Sequence, residues 1–312
     1  MSLTSKQIIA LKNIPNCGIK TVRGICEFAK DSFPENPKEL AEIVNQCRMN
    51  KIASRLKENI SIDFIEEKLN EAEYILEKSL ELGIRVVNYQ ELSFPQKLLK
   101  TIDENGNLDV PILLYYKGDL NIASLPGIAI IGTREPTIDG VKAGTYLGKL
   151  FADRGYNIVS GLAIGCDTAG HKGALLSPNG KTTSFLAHGL DTIYPPENTE
   201  LADEIVSRGG LLFSEYPIGT RVNRYNLVAR DRLQAALADA TIVIQTGIKG
   251  GTMHAANTTL MAKKSLFCVK YLNLQSSNNI AGNDYLVKKG GQYLTSKDPV
   301  ETVEQAIRQN VK

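Results

Sequence analysis

Between about residues 125 and 270 the chain repeats one pattern: a short apolar or β-branched run, then a stretch of helical periodicity. The runs fall at 128–131, 158–159, 182–186, 211–213, 241–244 and 266–269, and helical spacing appears at 141–154, 201–207, 230–238 and 252–262. Six short strands separated by helices predict an α/β fold built on a doubly wound, mainly parallel sheet. Right-handed crossovers then place ligands at the carboxyl ends of the strands.

Residues 1–85 read differently. Apolar residues recur at helical spacing through Ile8, Ile9 and Leu11, then Val22, Ile25 and Phe28, then Leu56, Ile60, Phe64, Leu69, Ile75 and Leu80. Pro34 and Pro37 separate two of these helices. The turn Ile14-Pro15-Asn16-Cys17-Gly18-Ile19-Lys20-Thr21 fits either a helix-hairpin-helix, whose amides hold a phosphate, or an ordinary packing turn. Short strands follow around Val86–Tyr89 and at 113–116, so the expected division is a helical domain over 1–85 and an α/β domain over 86–312. A final helix at 299–309 is expected to close the chain with no further domain.

With 43% hydrophobic and 22% charged residues, the 312-residue chain is globular in composition, which excludes wholesale disorder. Its 36 basic and 34 acidic side chains leave a net charge of +2, with −2 over residues 1–110 and +4 over the remainder. A broad basic face is thereby excluded, and any polyanion site is local and belongs to the second part. Five dispersed cysteines without a CxxC pair argue against disulfides and zinc, and three histidines without HExxH spacing argue against a catalytic metal. No apolar run has signal-peptide or membrane-spanning length, so the expected location is cytoplasmic, without membrane attachment.

Three predicted strands end in glycine and small polar residues: Gly132-Thr133-Arg134, Ser160-Gly161-Leu162-Ala163, and Thr246-Gly247-Ile248-Lys249-Gly250-Gly251-Thr252. Each precedes a helix, so backbone N–H groups converge on one sheet edge and favour an anionic ligand. A P-loop lookalike, Gly173 to Gly180-Lys181-Thr182, has the wrong spacing and lies between a helix and a strand, and no GxGxxG follows the first strand. No nucleophilic constellation is evident; Asp167 and His171, one helical turn apart, are expected to make a structural contact. Arg134, Lys181, Arg224, Arg230, Arg232 and Lys249 fall near strand ends, where together they would neutralise several phosphates. Tyr194, Tyr216 and Tyr225 lie in neighbouring loops; they can stack bases, or Tyr194-Pro195-Pro196 can simply stiffen a turn.

The motifs resemble those of the DNA-processing protein A (DprA, or Smf) family. They are Ile131-Gly132-Thr133-Arg134, Ser160-Gly161-Leu162-Ala163-x-Gly165-x-Asp167, Gly189-Leu190-Asp191 with Tyr194-Pro195-Pro196-Glu197-Asn198, and Ser214-Glu215-Tyr216-Pro217-x-Gly219. Phe94-Pro95, Tyr116-Lys117-Gly118-Asp119-Leu120 and Gly282-Asn283-Asp284-Tyr285-Leu286 extend the likeness on either side. The resemblance implies an extended Rossmann-like domain behind a SAM-like helical domain, without the C-terminal winged helix of many members. It implies a non-enzymatic, cofactor-free protein that binds single-stranded DNA, hands it to a RecA-type recombinase in natural transformation, and forms homodimers through the Rossmann-like domain. Carried over by position, the DNA pocket points to Arg134, Lys181, Arg230 and Arg232. Together with the glycine-rich turns, the expected DNA-binding set is Gly132, Thr133, Arg134, Ser160, Gly161, Lys181, Arg224, Arg230, Arg232, Lys249, Gly250, Gly251 and Thr252.

Two departures stand out: Leu227 where the family pattern has an aromatic, and Asp231 between the two arginines. The competing reading is a nucleotide-binding sensor or nucleotide-processing enzyme of the wider superfamily, for instance in phage defence. Gly250-Gly251-Thr252 lacks the glutamate of the phosphoribohydrolase signature, which speaks against hydrolysis by that route.

Overall fold

The computed structural model describes residues 3–271 and 280–310. The chain divides into two units, one formed by Met1–Phe94 with Ile112–Tyr115 and the other by Pro95–Pro111 with Tyr116–Lys312. In the first unit, four helices, α1 (Ser5–Lys12), α2 (Ile19–Phe28), α3 (Pro37–Met49) and α4 (Ile62–Glu81), precede strand β1 (Arg85–Asn88). Their starts are written in the sequence. Thr4 and Gln7 form a capping box on α1, Asn36 caps α3 with Pro37 in its first turn, and Ser61 caps α4. Ile8, Ile9, Leu11, Val22, Ile25, Leu40, Val44 and Ile65 are buried in this unit. Asn16, with positive φ, and Gly18, the cap of α2, make the turn between α1 and α2.

Strand β2 (Leu113–Gly118) starts in the first unit and ends in the second. The second unit then runs through β3 (Gly127–Ile131), α5 (Ile138–Asp153), β4 (Asn157–Ser160), α6 (Cys166–Leu175), β5 (Lys181–Leu186), α7 (Thr199–Ser207) and β6 (Leu211–Ser214). It continues through α8 (Arg224–Leu237), β7 (Ala240–Val243), α9 (Thr252–Met261), β8 (Ser265–Val269), α10 (Ala281–Lys288), β9 (Gln292–Leu294) and α11 (Pro299–Asn310). Its strands lie in the order β6-β5-β4-β3-β7-β8-β9, all parallel. The expected doubly wound α/β sheet is therefore present. Strand β3, every residue of it buried, sits between β4 and β7 and marks the point where the winding reverses. A crevice opens at such a point beyond the carboxyl ends of the strands.

Helices α5 and α6 approach closely because both present glycines. A Cβ at Gly144 would stand 2.9 Å from the Ala169 Cβ, one at Gly148 would collide with the Gly170 carbonyl, and one at Gly173 with the Thr145 carbonyl. Helix α8 starts at Arg224, six residues before the predicted start, because Asn223 accepts the Asn226 N–H at 2.8 Å and caps it. Helix α10 and strand β9 have no counterpart among the elements expected from the sequence. Helix α6 (CDTAGHKGAL) is buried along almost its whole length, so it carries no amphipathic stripe.

Candidate nucleic-acid interface

The crevice at the winding reversal is a cleft of about 300 Å³. Its walls come from the turn after β3 (Gly132, Thr133, Arg134), the turn after β4 (Ala163, Asp167), helix α8 (Leu227, Val228, Arg230, Asp231, Gln234) and the loop after β7 (Thr246 to Thr252). Local hydrogen bonds hold these turns together. The Thr133 N–H donates to the Gln245 carbonyl at 2.7 Å, and the Cys166 N–H donates to the Thr133 carbonyl at 3.1 Å. Gly132 admits that packing, since a Cβ there would lie 2.5 Å from the Cys166 Sγ. The Gln245 amide spans to α5, with Oε1 accepting the Thr137 N–H and Nε2 donating to Thr137 Oγ1, both at 2.8 Å.

Asp167 is buried, and its Oδ2 accepts the N–H groups of Gly161 (3.1 Å) and Ala163 (3.3 Å), which shapes the β4 turn. Burial raises its pKa, against the opposing pull of the Arg230 charge. The expected Asp167–His171 contact is not made. His171 instead bonds Thr182 through Nδ1 at 2.6 Å. Thr182 donates its own proton to the Ile158 carbonyl, so His171 Nδ1 is the donor and the unpartnered Nε2 is bare. Burial, with the nearby Arg230 charge, depresses its pKa to about 3.

The six cations do not gather at one edge. Arg134 and Lys249 line the cleft, are exposed, and make no hydrogen bond or ion pair among the described residues. The N–H groups of Gly250, Gly251 and Thr252 likewise donate to no acceptor among the described residues, and these three residues line the same cleft. Arg230 lies inside α8 rather than in a lead-in loop and forms part of the floor. Its Nη1 donates to the carbonyls of Gly161 (2.6 Å) and Phe185, and its Nε to Asp231 Oδ1 at 3.0 Å. Gly161 makes room for this seating, because a Cβ there would meet the guanidinium and push it aside.

Arg232, also inside α8, is withdrawn altogether. It makes a two-pronged pair with Glu215 at 2.8 and 2.9 Å, and its Nε stands 2.6 Å from Asp109 Oδ2. A buried guanidinium already paired with two carboxylates has little left for a phosphate. Glu215 of the Ser-Glu-Tyr-Pro motif thus holds an arginine in place. Lys181 starts β5 and pairs in register with Asn157 at the start of β4, so it stands at the opposite end of the sheet, where its Nζ donates to the Arg208 carbonyl at 3.0 Å. Arg224 lines a separate depression with Tyr225, Asp103, Glu104 and Asp109. Ser160 is fully buried and donates to the Ile130 carbonyl at 2.6 Å, which makes it structural.

A second, more apolar cleft of about 220 Å³ shares Arg134, Ala163, Leu227 and Arg230 with the first and adds Ile164, Tyr194, Pro195 and Pro196. Tyr194 is thus placed where a base can stack, whereas Tyr225 is 87% exposed on the other depression. Asn283, quoted above only as part of a motif, proves to be a brace: its Oδ1 accepts the Thr246 N–H at 3.0 Å and its Nδ2 donates to the Ile244 and Val269 carbonyls. Its position in a Gly-Asn-Asp helix start was the available signal.

A sequence profile of the family DNA recombination-mediator protein A matches residues 85–304. Protein Smf of Synechocystis is 34% identical over 192 residues, 60% of this chain and 47% of that protein. DNA processing protein DprA of Streptococcus pneumoniae is 31% identical over 194 residues, 62% of this chain and 66% of that protein. The chain thus spans about half to two thirds of the length of these curated relatives. The X-ray structure of DprA from Streptococcus pneumoniae superposes with a TM-score of 0.75 at 25% identity, covering 97% of this chain and 98% of that one. DNA processing protein A from Helicobacter pylori, described for its single-stranded DNA binding mode, gives a TM-score of 0.60 at 29% identity over 72% of this chain and 96% of that one. A profile match over more than half the chain, on a shared architecture, places this chain in the DNA recombination-mediator protein A family.

Proposed function

We propose that this chain binds single-stranded DNA in the double cleft at the winding reversal and delivers it to a RecA-type recombinase, without catalysing a reaction. The observation that carries the reading is the pairing of two cleft types. Free cations (Arg134, Lys249) and unspent amides (Gly250 to Thr252) flank one, and an apolar shelf with Tyr194 lies beside them. Phosphates meet the cations and amides of the first, which also has room for a base, and a base face meets the second, which is how single-strand sites are assembled. The H. pylori relative's described single-strand binding supports the same reading. Delivery to a recombinase, homodimer formation and a cytoplasmic setting rest on the family likeness.

The cleft volume also suits one mononucleotide, and a nucleotide sensor is the second reading. Fluorescence anisotropy against salt concentration, with a labelled single strand, duplex DNA and free nucleotides as competitors, separates the two. The single-strand reading expects preference for the strand and a negative slope of log K against log salt. Binding of mononucleotides alone, or no binding, would sink it.

A further inference from the structure

Asp231 is ill suited to face a phosphate, yet it stands in the wall of the principal cleft, only 8% exposed. Its two oxygens differ. Oδ1 accepts from Arg230 Nε at 3.0 Å and from Gln234 Nε2 at 3.2 Å. Oδ2 accepts nothing among the described residues, and lies 3.6 Å from where a Cβ on Gly251 would stand across the cleft. Gln234, one turn along α8, is 2% exposed and lines the same cleft. A carboxylate only accepts, so the bond to Oδ1 fixes the Gln234 amide with Nε2 toward Asp231 and leaves Oε1 as its free atom. The cleft wall therefore carries two unspent acceptors from neighbouring side chains.

Among the bases, guanine alone carries two adjacent donors, N1–H and the 2-amino group, on its Watson–Crick edge. Adenine and cytosine set one donor beside an acceptor, and thymine sets one between two. We propose that this cleft takes guanine by that edge, with Asp231 Oδ2 and Gln234 Oε1 as acceptors, so that guanine is preferred within a bound single strand. The inference rests on the single-strand reading above. The phosphates flanking the base then lie outward, toward Arg134 and Lys249, which keeps them from the carboxylate.

The test is competition anisotropy at about pH 8 with oligothymidylates of about 12 residues carrying one central dT, dA, dC, dG or inosine. The dG strand is expected to bind about tenfold tighter than the dT, dA and dC strands, with inosine, which lacks the 2-amino group, in between. Asp231→Asn and the near-isosteric Gln234→Met are each expected to erase the dG advantage. Equal affinity for dG and dT strands in the parent protein, or a dG advantage that survives both substitutions, overturns the inference. If no oligonucleotide binds, the single-strand reading fails by itself. The same comparison among GMP, AMP, CMP and TMP by NMR titration then decides the guanine preference, and equal or absent shifts overturn it.

Discussion

At the scale of single residues, burial and pairing decide what an arginine does. Arg134 and Lys249 are exposed and unpaired among the described residues, so replacing either by alanine costs ligand contacts and little stability. Each such variant is expected to lower the salt slope of single-strand binding by about 0.7, with an unchanged urea midpoint. Arg232 is the reverse case. Arg232→Ala takes the two-pronged guanidinium away from the Glu215 carboxylate, whose side chain is 12% exposed. A loss of about 3–5 kcal/mol in urea denaturation is expected, with no fall in the salt slope of whatever folded protein remains. A chain that lost slope but kept its stability would reverse these assignments. Nothing in the segment Asn226 to Arg232 reveals that Arg232 is withdrawn, because its deciding partners are 17 and 123 residues away in sequence. Lys181 directly precedes the 182–186 run, and it stands accordingly at the amino end of the sheet, away from the cleft.

At the scale of elements, the strands were legible because β-branched and apolar runs bounded by glycine leave few alternatives. Strands β3 to β8 fall within a residue or two of their expected positions. Helix α6 was legible only from its place between the β4 turn and the start of β5, since small residues buried on all sides have no period to detect. Its packing against α5 carries a prediction. Gly148→Ala would drive a methyl group into the Gly170 carbonyl and toward the Ala174 N–H, and two backbone segments cannot yield as a side chain can. Destabilisation of about 1–3 kcal/mol is expected, read from the denaturant midpoint. The cleft turns were legible as glycine-rich strand ends, whereas the brace from Asn283 was not, because it acts across 37 residues of chain.

At the scale of the whole molecule, two buried groups of the second unit give acid stability opposing slopes. His171 has a folded pKa of about 3 against an ordinary 6.5, so the stability it confers is present above pH 6.5 and is lost as pH falls from there toward 3. Asp231 is pushed up by burial to about 6 from 3.8, so it weakens the fold above pH 6 and ceases to do so as pH falls toward 3.8. Between pH 7 and 5 the two changes oppose each other, about 2 kcal/mol of loss from His171 against about 1 kcal/mol of gain from Asp231. His171→Asn, which keeps a donor for Thr182, is expected to become more stable on that descent, and Asp231→Asn less. Urea midpoints at the two pH values measure both signs, and parallel behaviour of the two variants would contradict the account.

The central place of β3 also bears on how the chain is made. Its partners are β4, which follows at once, and β7, which starts about 110 residues later. A ribosome adding roughly 5–20 residues per second needs on the order of ten seconds to cover that interval. Until then the fully apolar Gly-Ile-Ala-Ile-Ile strand has one ladder of amides and carbonyls open to any passing chain. Fragments of the second unit that stop short of residue 240 therefore carry an adhesive seam that the finished protein hides at its centre.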